Sequence, residues 1–394
     1  MDPLYPVGYP SLLAVGKLLA GDVLLVAKAV SVAAGVGAVA CALAMTTRTG
    51  GGRTAAAVVS AWVLAQPGVL QWGTTEGTDL PAAVLCIAGI LLAEKRPTAA
   101  GALVGAACLC RYTAVAAVPV VLVLARDRRA ILALVLATLP HFVGAALAGT
   151  SPLPHQDENL TIANGTPAAL FSAETIRRWP IGFARAAMIS VRDWPSWVGM
   201  VGMCLGAARR DRLAMGLIGF GLIHSGLLGL AFVNPRLALP TTLAVAFGVA
   251  WLVRWRLGLA TVLVVTAASL YSHLPAAYAV DKAAAGRATF AAELPPGPWL
   301  ATSPWLHERR DGWLIPTIQL SGLGMGRDVD TATVAAAARR EGAAGILLEG
   351  SATRREYVGL RDLYDKGDDS FVLVAQRSGY RAYAVDGGGG VTPR

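Results

Sequence analysis

The chain is a succession of apolar runs cut by short polar ones. A segment needs about 20 apolar residues to cross a bilayer, with a range of roughly 17–25. The runs 23–45, 130–149 and 213–233 meet that length cleanly. The runs 54–70 and 78–93 are shorter and predict a helical hairpin, and 194–208, 237–252 and 257–274 complete a set of eight expected crossings. Trp62, Trp72, Trp194, Trp197, Trp251 and Trp255 fall near the ends of these runs, where the rings are expected at the membrane–water interface. Residues 11–20 predict a short apolar helix lying at the outer interface.

The run 98–124 is too long for a single short span and carries Arg111 at its middle. Read as one crossing, it would put Lys95/Arg96 and Arg126–Arg129 on opposite sides. Read as two half-helices meeting at Arg111-Tyr112-Thr113, it returns to the side it left. The re-entrant reading is preferred, because irregular backbone at that depth is tolerated inside protein or at a watery cavity.

Residues 281–386 change character. The segments 299–303, 345–349, 371–376 and 380–385 read as strands, and 331–341 and 353–360 as helices, with Gly342 at a C-cap position. A small α/β domain is expected there, followed by a flexible tail over 387–394. The expected fold class is an α-helical polytopic membrane protein: a transmembrane domain over 1–275 with a large external loop at 150–193, then the α/β domain.

Composition agrees. A hydrophobic content of 55%, a charged content of 15% and a mean hydropathy of +0.54 do not fit a soluble globular protein. Five short loops hold Arg48/Arg53, Lys95/Arg96, Arg126/Arg128/Arg129, Arg209/Arg210/Arg212 and Arg254/Arg256. Against Glu94, Asp127 and Asp211 these twelve bases carry +9, the net charge of the whole chain. Short basic loops stay in the cytoplasm, so the charge reports orientation rather than a nucleic-acid partner. That orientation places the N-terminus, residues 150–193 and everything after His273 outside the cytoplasm, in the inner or plasma membrane of a bacterium if the Arg-over-Lys bias reflects a GC-rich genome. The first ten residues lack a basic n-region and an apolar core, so no cleavable signal is expected. All five cysteines lie in apolar runs and none is in a CxxC pair.

Candidate chemistry sits at the outer ends of the runs. Tyr5 and Tyr9, each followed by proline, suit an interfacial anchor or one wall of a substrate cavity. Asp79 precedes an apolar run with Pro81 in its first turn, which helix capping explains; Glu76 has no such explanation, and the two acids could serve a base or a metal. Arg111 costs about 2.5–3.5 kcal/mol at a bilayer centre on insertion scales, so it needs a carboxylate, exposed carbonyls or a phosphate beside it. His155, Asp157, Glu158 and Asn159 form a polar run able to ligate a divalent cation or simply to be solvated. Arg236 opens the run 237–252 and can snorkel or bind an anion. No P-loop, dinucleotide fingerprint, hydrolase elbow or zinc signature occurs.

In this order the blocks resemble the GT-C membrane glycosyltransferases, in particular bacterial members of the dolichyl-phosphate-mannose protein mannosyltransferase and aminoarabinose transferase superfamily. The resemblance covers residues 1–275. It rests on Tyr5-Pro6-Val7-Gly8-Tyr9-Pro10, on Glu76-Gly77-Thr78-Asp79-Leu80-Pro81, on the run ending Cys110-Arg111-Tyr112-Thr113, on Ser151-Pro152-Leu153-Pro154-His155-Gln156, and on Asn234-Pro235-Arg236. It implies transfer of a sugar from a polyprenyl-phosphate carrier to a lipid, glycan or protein acceptor. Arg111, with Tyr112 and Arg236, would meet the lipid phosphate. Tyr5, Tyr9, His155, Asp157, Glu158 and Asn159 would line the substrate cavity, and no cofactor beyond a divalent cation is implied. Family members carry one more span and an acidic outer loop ahead of the part matched here; Asp2 is the acid nearest that place. Asp79 and Glu76 are the remaining catalytic candidates. Two other readings stand beside this one: an inactive member serving as a binding or assembly subunit, and a polyprenyl-lipid or polysaccharide transporter, which should show interrupted helices in both halves.

Overall fold

The computed structural model describes residues 8–21, 23–72, 77–147, 149, 172–230, 237–292, 294–295, 297–302, 309–310, 313–314, 317–320, 323, 325–355, 357–377 and 379–385. The chain divides into two compact units, Met1–Ala277 and Tyr278–Arg394.

The first unit is helical. Its elements are α1 (Gly8–Ala20), α2 (Val23–Arg48), α3 (Arg53–Leu64), α4 (Pro67–Trp72), α5 (Asp79–Leu92), α6 (Pro97–Cys110), α7 (Ala117–Ala125), α8 (Arg128–Leu147), α9 (Ala173–Ser190), α10 (Trp194–Ala208), α11 (Arg212–Leu230), α12 (Leu239–Ala246) and α13 (Arg256–Ala292). Among the described residues four stretches are long and apolar enough to cross a membrane alone: Leu25–Arg48, Arg128–Leu147, Arg212–Leu230 and Arg256–Pro275. Shorter apolar helices fill the interior. In α5 almost every side chain is buried, as expected of a helix apolar on all sides. By contrast α8 presents Leu132, Val135, Leu136 and Phe142 outward, the pattern of a lipid-facing helix.

The direction of each helix follows from contacts. A Cβ on Gly101 would collide with the Ala130 carbonyl, and one on Gly105 would press on Ala137 and Leu134. The partners advance together, so α6 and α8 run parallel and side by side, brought close by the missing side chains. The same progression continues to Tyr112 and His141, whose rings are 6.0 Å apart. Since α8 begins at the level where α6 begins, the chain between them must go out and return. It does so at Arg111, through a 3-10 turn (Tyr112–Ala116) and then α7. Arg212 Nη2 donates to the Leu124 carbonyl at 3.4 Å, which fixes the returning end beside the start of α11. The half-helix pair expected over 98–124 is present.

All five basic loops meet at one end of this unit. Glu94 accepts from Arg48 and pairs with Arg212 at 3.1 Å. Asp211 accepts from Trp251 Nε1 at 3.1 Å, and the Arg209 guanidinium lies 4.8 Å over the Trp255 ring. The Leu124 contact adds the loop that follows α7.

Several expectations need correction. The run 54–70 is not one helix: it breaks at Ala65-Gln66, because Pro67 has no N–H for the ladder, and restarts as α4. Trp62 and Trp251 are not interfacial but fully buried, each with its indole N–H satisfied, by the Ala246 carbonyl at 2.9 Å and by Asp211. The run 237–252 is α12 followed by a 3-10 turn, Phe247–Trp251. The segment 150–193, expected as an external loop, contains α9, an amphipathic helix that Arg177, Arg178 and Arg185 hide from a hydropathy reading. Finally, α13 does not stop near residue 274 but continues to Ala292.

The second unit contains a five-stranded mixed sheet in the order β4-β1-β5-β7-β6, built from β1 (Trp299–Ala301), β4 (Thr317–Gln319), β5 (Gly345–Glu349), β6 (Phe371–Arg377) and β7 (Tyr380–Val385), and a separate ribbon of β2 (Arg309–Arg310) with β3 (Trp313–Leu314). Strand β1 is parallel to β4 and β5, while β7 is antiparallel to β5 and β6. Leu300, Ile346, Leu348 and Tyr383 form one core with Val334 of α14 (Thr331–Arg340). The expected helix over 353–360 is instead α15 (Gly350–Arg355), a 3-10 turn (Val358–Leu360) and α16 (Arg361–Lys366). The strands β2, β3 and β4 are too short to announce themselves by alternation.

Candidate functional site

The chain gives up its helical ladder at Arg111. Its backbone is extended, with φ −156° and ψ 128°, and its N–H still donates to the Ala107 carbonyl as the cap of α6. Pro119, three residues into α7, has no N–H and crowds the carbonyl one turn earlier, so the α-helix cannot be continuous through 115–119. A 3-10 turn bridges the gap. The break presents Arg111 at the end of α6 that lies opposite the basic loops.

There the guanidinium meets the start of α5. Arg111 Nη1 lies 2.7 Å from Asp79 Oδ1, with the two side chains 13% and 3% exposed. The same nitrogen donates to Thr78 Oγ1 at 2.9 Å. Thr78 is the N-cap residue of α5 but makes no side-chain cap bond, and Asp79 follows in the first turn. The capping role expected for Asp79 is therefore replaced by an ion pair with Arg111. Such a buried pair offsets the desolvation of both partners only through close geometry, which this one has.

Other polar groups gather around the break. Tyr9 of α1 is buried and packs with Ala82 and Cys110. Tyr112 Oη is buried, with no hydrogen-bond partner among the described residues. His224 of α11, a helix packed against the turn Tyr112–Ala116, is fully buried, and its Nδ1 lies 2.9 Å from Thr241 Oγ1 of α12. His141 of α8 is buried against Tyr112 and Phe142.

Beside this polar group runs an apolar groove of about 530 Å³, lined by α1, α2, α5 and the end of α6. Tyr9 and Cys110 close it at the Arg111 end, and Ala44 and Leu92 lie toward the basic loops. From Val30 to Ala44 it follows α2 for about 21 Å at 1.5 Å per residue. Its wall is almost wholly carbon, so it suits a hydrocarbon chain.

Of the residues singled out from sequence, the structure brings together Tyr9, Asp79, Arg111 and Tyr112. Tyr5, Glu76, His155, Asp157, Glu158, Asn159 and Arg236 lie outside the described residues. Among the described residues no group of three or more His, Cys, Asp and Glu side chains is arranged to hold a metal ion. Sequence reading missed Thr78, His141, His224 and Thr241. The two histidines carried a usable signal, since an ionisable residue inside an apolar run is rarely accidental.

No protein-family profile and no curated protein sequence matches the chain. Solved structures do. ArnT from Cupriavidus metallidurans, determined bound to undecaprenyl phosphate, superposes over 98% of this chain and 89% of its own, with 14% identity and a TM-score of 0.53. The arabinofuranosyltransferase AftD from Mycobacteria is matched over 98% of this chain but 35% of its own, with 15% identity and a TM-score of 0.43. The ArnT likeness is one of fold: this chain is an integral membrane protein with the GT-C fold of membrane glycosyltransferases.

Proposed function

We propose that the chain is a membrane glycosyltransferase that takes a sugar from a polyprenyl-phosphate carrier and passes it to an acceptor outside the cytoplasm. The observation that carries this reading is a largely buried arginine, Arg111, at a helix break beside an apolar groove. One end of the site suits an anion and the other a hydrocarbon chain, which together describe a lipid phosphate. ArnT, which shares the fold, was solved with such a lipid.

In this reading the basic loops face the cytoplasm, the chain crosses eight times with one re-entrant pair, and the second unit is extracytoplasmic. An acceptor hydroxyl attacks the anomeric carbon with inversion while the bond to the carrier phosphate breaks. The carrier departs as a phosphate monoester, a stable anion that needs little proton assistance, and Arg111 holds its charge. Arg236 is a second phosphate contact, and Tyr5, Tyr9, His155, Asp157, Glu158 and Asn159 belong to the sugar and acceptor side. Asp79 is committed to Arg111, so it orients the guanidinium, and Glu76 becomes the candidate base for the acceptor hydroxyl.

The test is turnover. Purified full-length protein in lipid nanodiscs, given polyprenyl-phosphate sugars in turn, should release polyprenyl phosphate from at least one of them in an Arg111-dependent manner. Saturable carrier binding with no turnover by any donor and acceptor pair would instead support a carrier-binding assembly subunit, a reading favoured by the commitment of Asp79 to its ion pair. Transport of an intact lipid-linked sugar across the bilayer, without cleavage, would contradict both.

A further inference from the structure

The carrier-phosphate reading of Arg111 leaves two polar atoms unexplained. His224 Nε2 is buried inside α11 and has no hydrogen-bond partner among the described residues. Tyr112 Oη, on the residue that follows Arg111, is in the same condition. A buried polar group that makes no hydrogen bond carries the full cost of its desolvation, and each such group in a native structure calls for an explanation.

His224 is not loosely placed. Its ring is 0% exposed, rests 5.7 Å from the Phe220 ring and is held through Nδ1 by Thr241 Oγ1 at 2.9 Å. Helix α11 packs against the 3-10 turn that begins at Tyr112 and against α7. A histidine that served packing alone would be better replaced by Phe or Leu in this position. A fixed imidazole with one nitrogen satisfied and the other open, on a helix packed against the turn that follows Arg111, is the arrangement of a ligand contact.

We infer that His224 is a second donor to the carrier phosphate, oriented by Thr241 and acting with Arg111 and the Tyr112 hydroxyl. The Thr241 hydroxyl donates to Nδ1, which puts the ring proton on Nε2, and Nε2–H donates to a phosphate oxygen. A neutral donor adds directionality without a second positive charge in a low-dielectric site. The inference rests on the phosphate reading of Arg111, and it extends that reading to a part of the chain, α11 and α12, far from Arg111 in sequence.

The experiment measures binding of two probes, undecaprenyl phosphate and undecaprenol, to full-length protein in nanodiscs of phosphatidylcholine. His224→Phe should weaken undecaprenyl phosphate binding about tenfold, the scale of one hydrogen bond to a charged acceptor, and leave undecaprenol binding unchanged. His224→Gln, whose amide can still donate, should recover part of the loss. Thr241→Val removes no bulk, should weaken phosphate binding several-fold, and decides the matter if His224→Phe does not fold. Equal loss for both probes would mean that the ring only packs against the lipid chain, and would overturn the inference. Wild-type affinity in His224→Phe or, where that variant does not fold, in Thr241→Val would overturn it too. If Arg111→Leu/Asp79→Leu, which strands no carboxylate, loses phosphate binding in that same series, only the His224 role falls. If wild-type protein does not bind undecaprenyl phosphate, both the inference and the carrier reading fall.

Discussion

Arg111 is held by Asp79 and Thr78, and this local arrangement has a measurable consequence. Arg111→Leu strands the Asp79 carboxylate in a buried place, which typically costs about 3–5 kcal/mol. The variant should unfold at a markedly lower temperature in detergent. A second change, Asp79→Leu, should restore most of that loss, so the two substitutions are strongly non-additive in a double-mutant cycle. Additive losses would show that the pair contributes nothing. Arg111 was legible in the sequence because a charge inside an apolar run demands a partner. Asp79 was legible as an acid at a helix start, but its role was not. Capping and pairing are equally open to a carboxylate there, and only the return of the chain at Tyr112 decides between them. His224 and Thr241 were not legible as a pair, since their hydrogen bond joins two helices.

Two elements carry the geometry of the site. The first is α6, pressed against α8 through Gly101. Gly101→Val must push the helices apart or distort the Ala130 carbonyl, and an overpacked contact of this kind costs about 1–3 kcal/mol; thermal unfolding of the purified variant should show it, while Gly144→Ala on the open side of α8, where a Cβ meets nothing, should not. The second element is α14 of the second unit, capped by Asp330, whose Oδ1 accepts from the Thr333 N–H at 2.7 Å. The Thr333 side-chain and backbone hydrogen bonds hold the Asp330 carboxyl below its ordinary range. A carboxyl depressed in the folded state contributes stability above its unfolded value and loses it as pH falls through the folded one. The protection of the Thr333 amide, its exchange measured against the intrinsic rate at each pH, should therefore fall below about pH 4, and Asp330→Ala should abolish that fall. Elements were legible where periodicity or a proline marked them: the halves of the 98–124 run, β5, β6, β7 and α14. They were not where tertiary contacts decide, as for the buried Trp62, or where arginines on one face mask an amphipathic helix, as in α9.

At the scale of the whole molecule, charge and fold agree. The basic loops converge on one end of the helical unit, with Glu94 joining two of them, and the Arg111 site lies toward the other. The positive-inside rule predicts that the first end faces the cytoplasm. In a variant lacking the five native cysteines, single cysteines at Ala99 and Asp127 should both escape an impermeant thiol reagent in intact cells, whereas one at Gly350 should react. Opposite behaviour of Ala99 and Asp127 would contradict the returning half-helix. The central claim is that Arg111 holds a lipid phosphate, and binding tests it most directly. Undecaprenyl phosphate should bind saturably to full-length wild-type protein. Arg111→Lys should bind it more weakly, because a point charge lacks the bidentate fork. In Arg111→Leu/Asp79→Leu, where no carboxylate is stranded, binding should fall at least about tenfold. Wild-type affinity in that well-folded double variant would contradict the account.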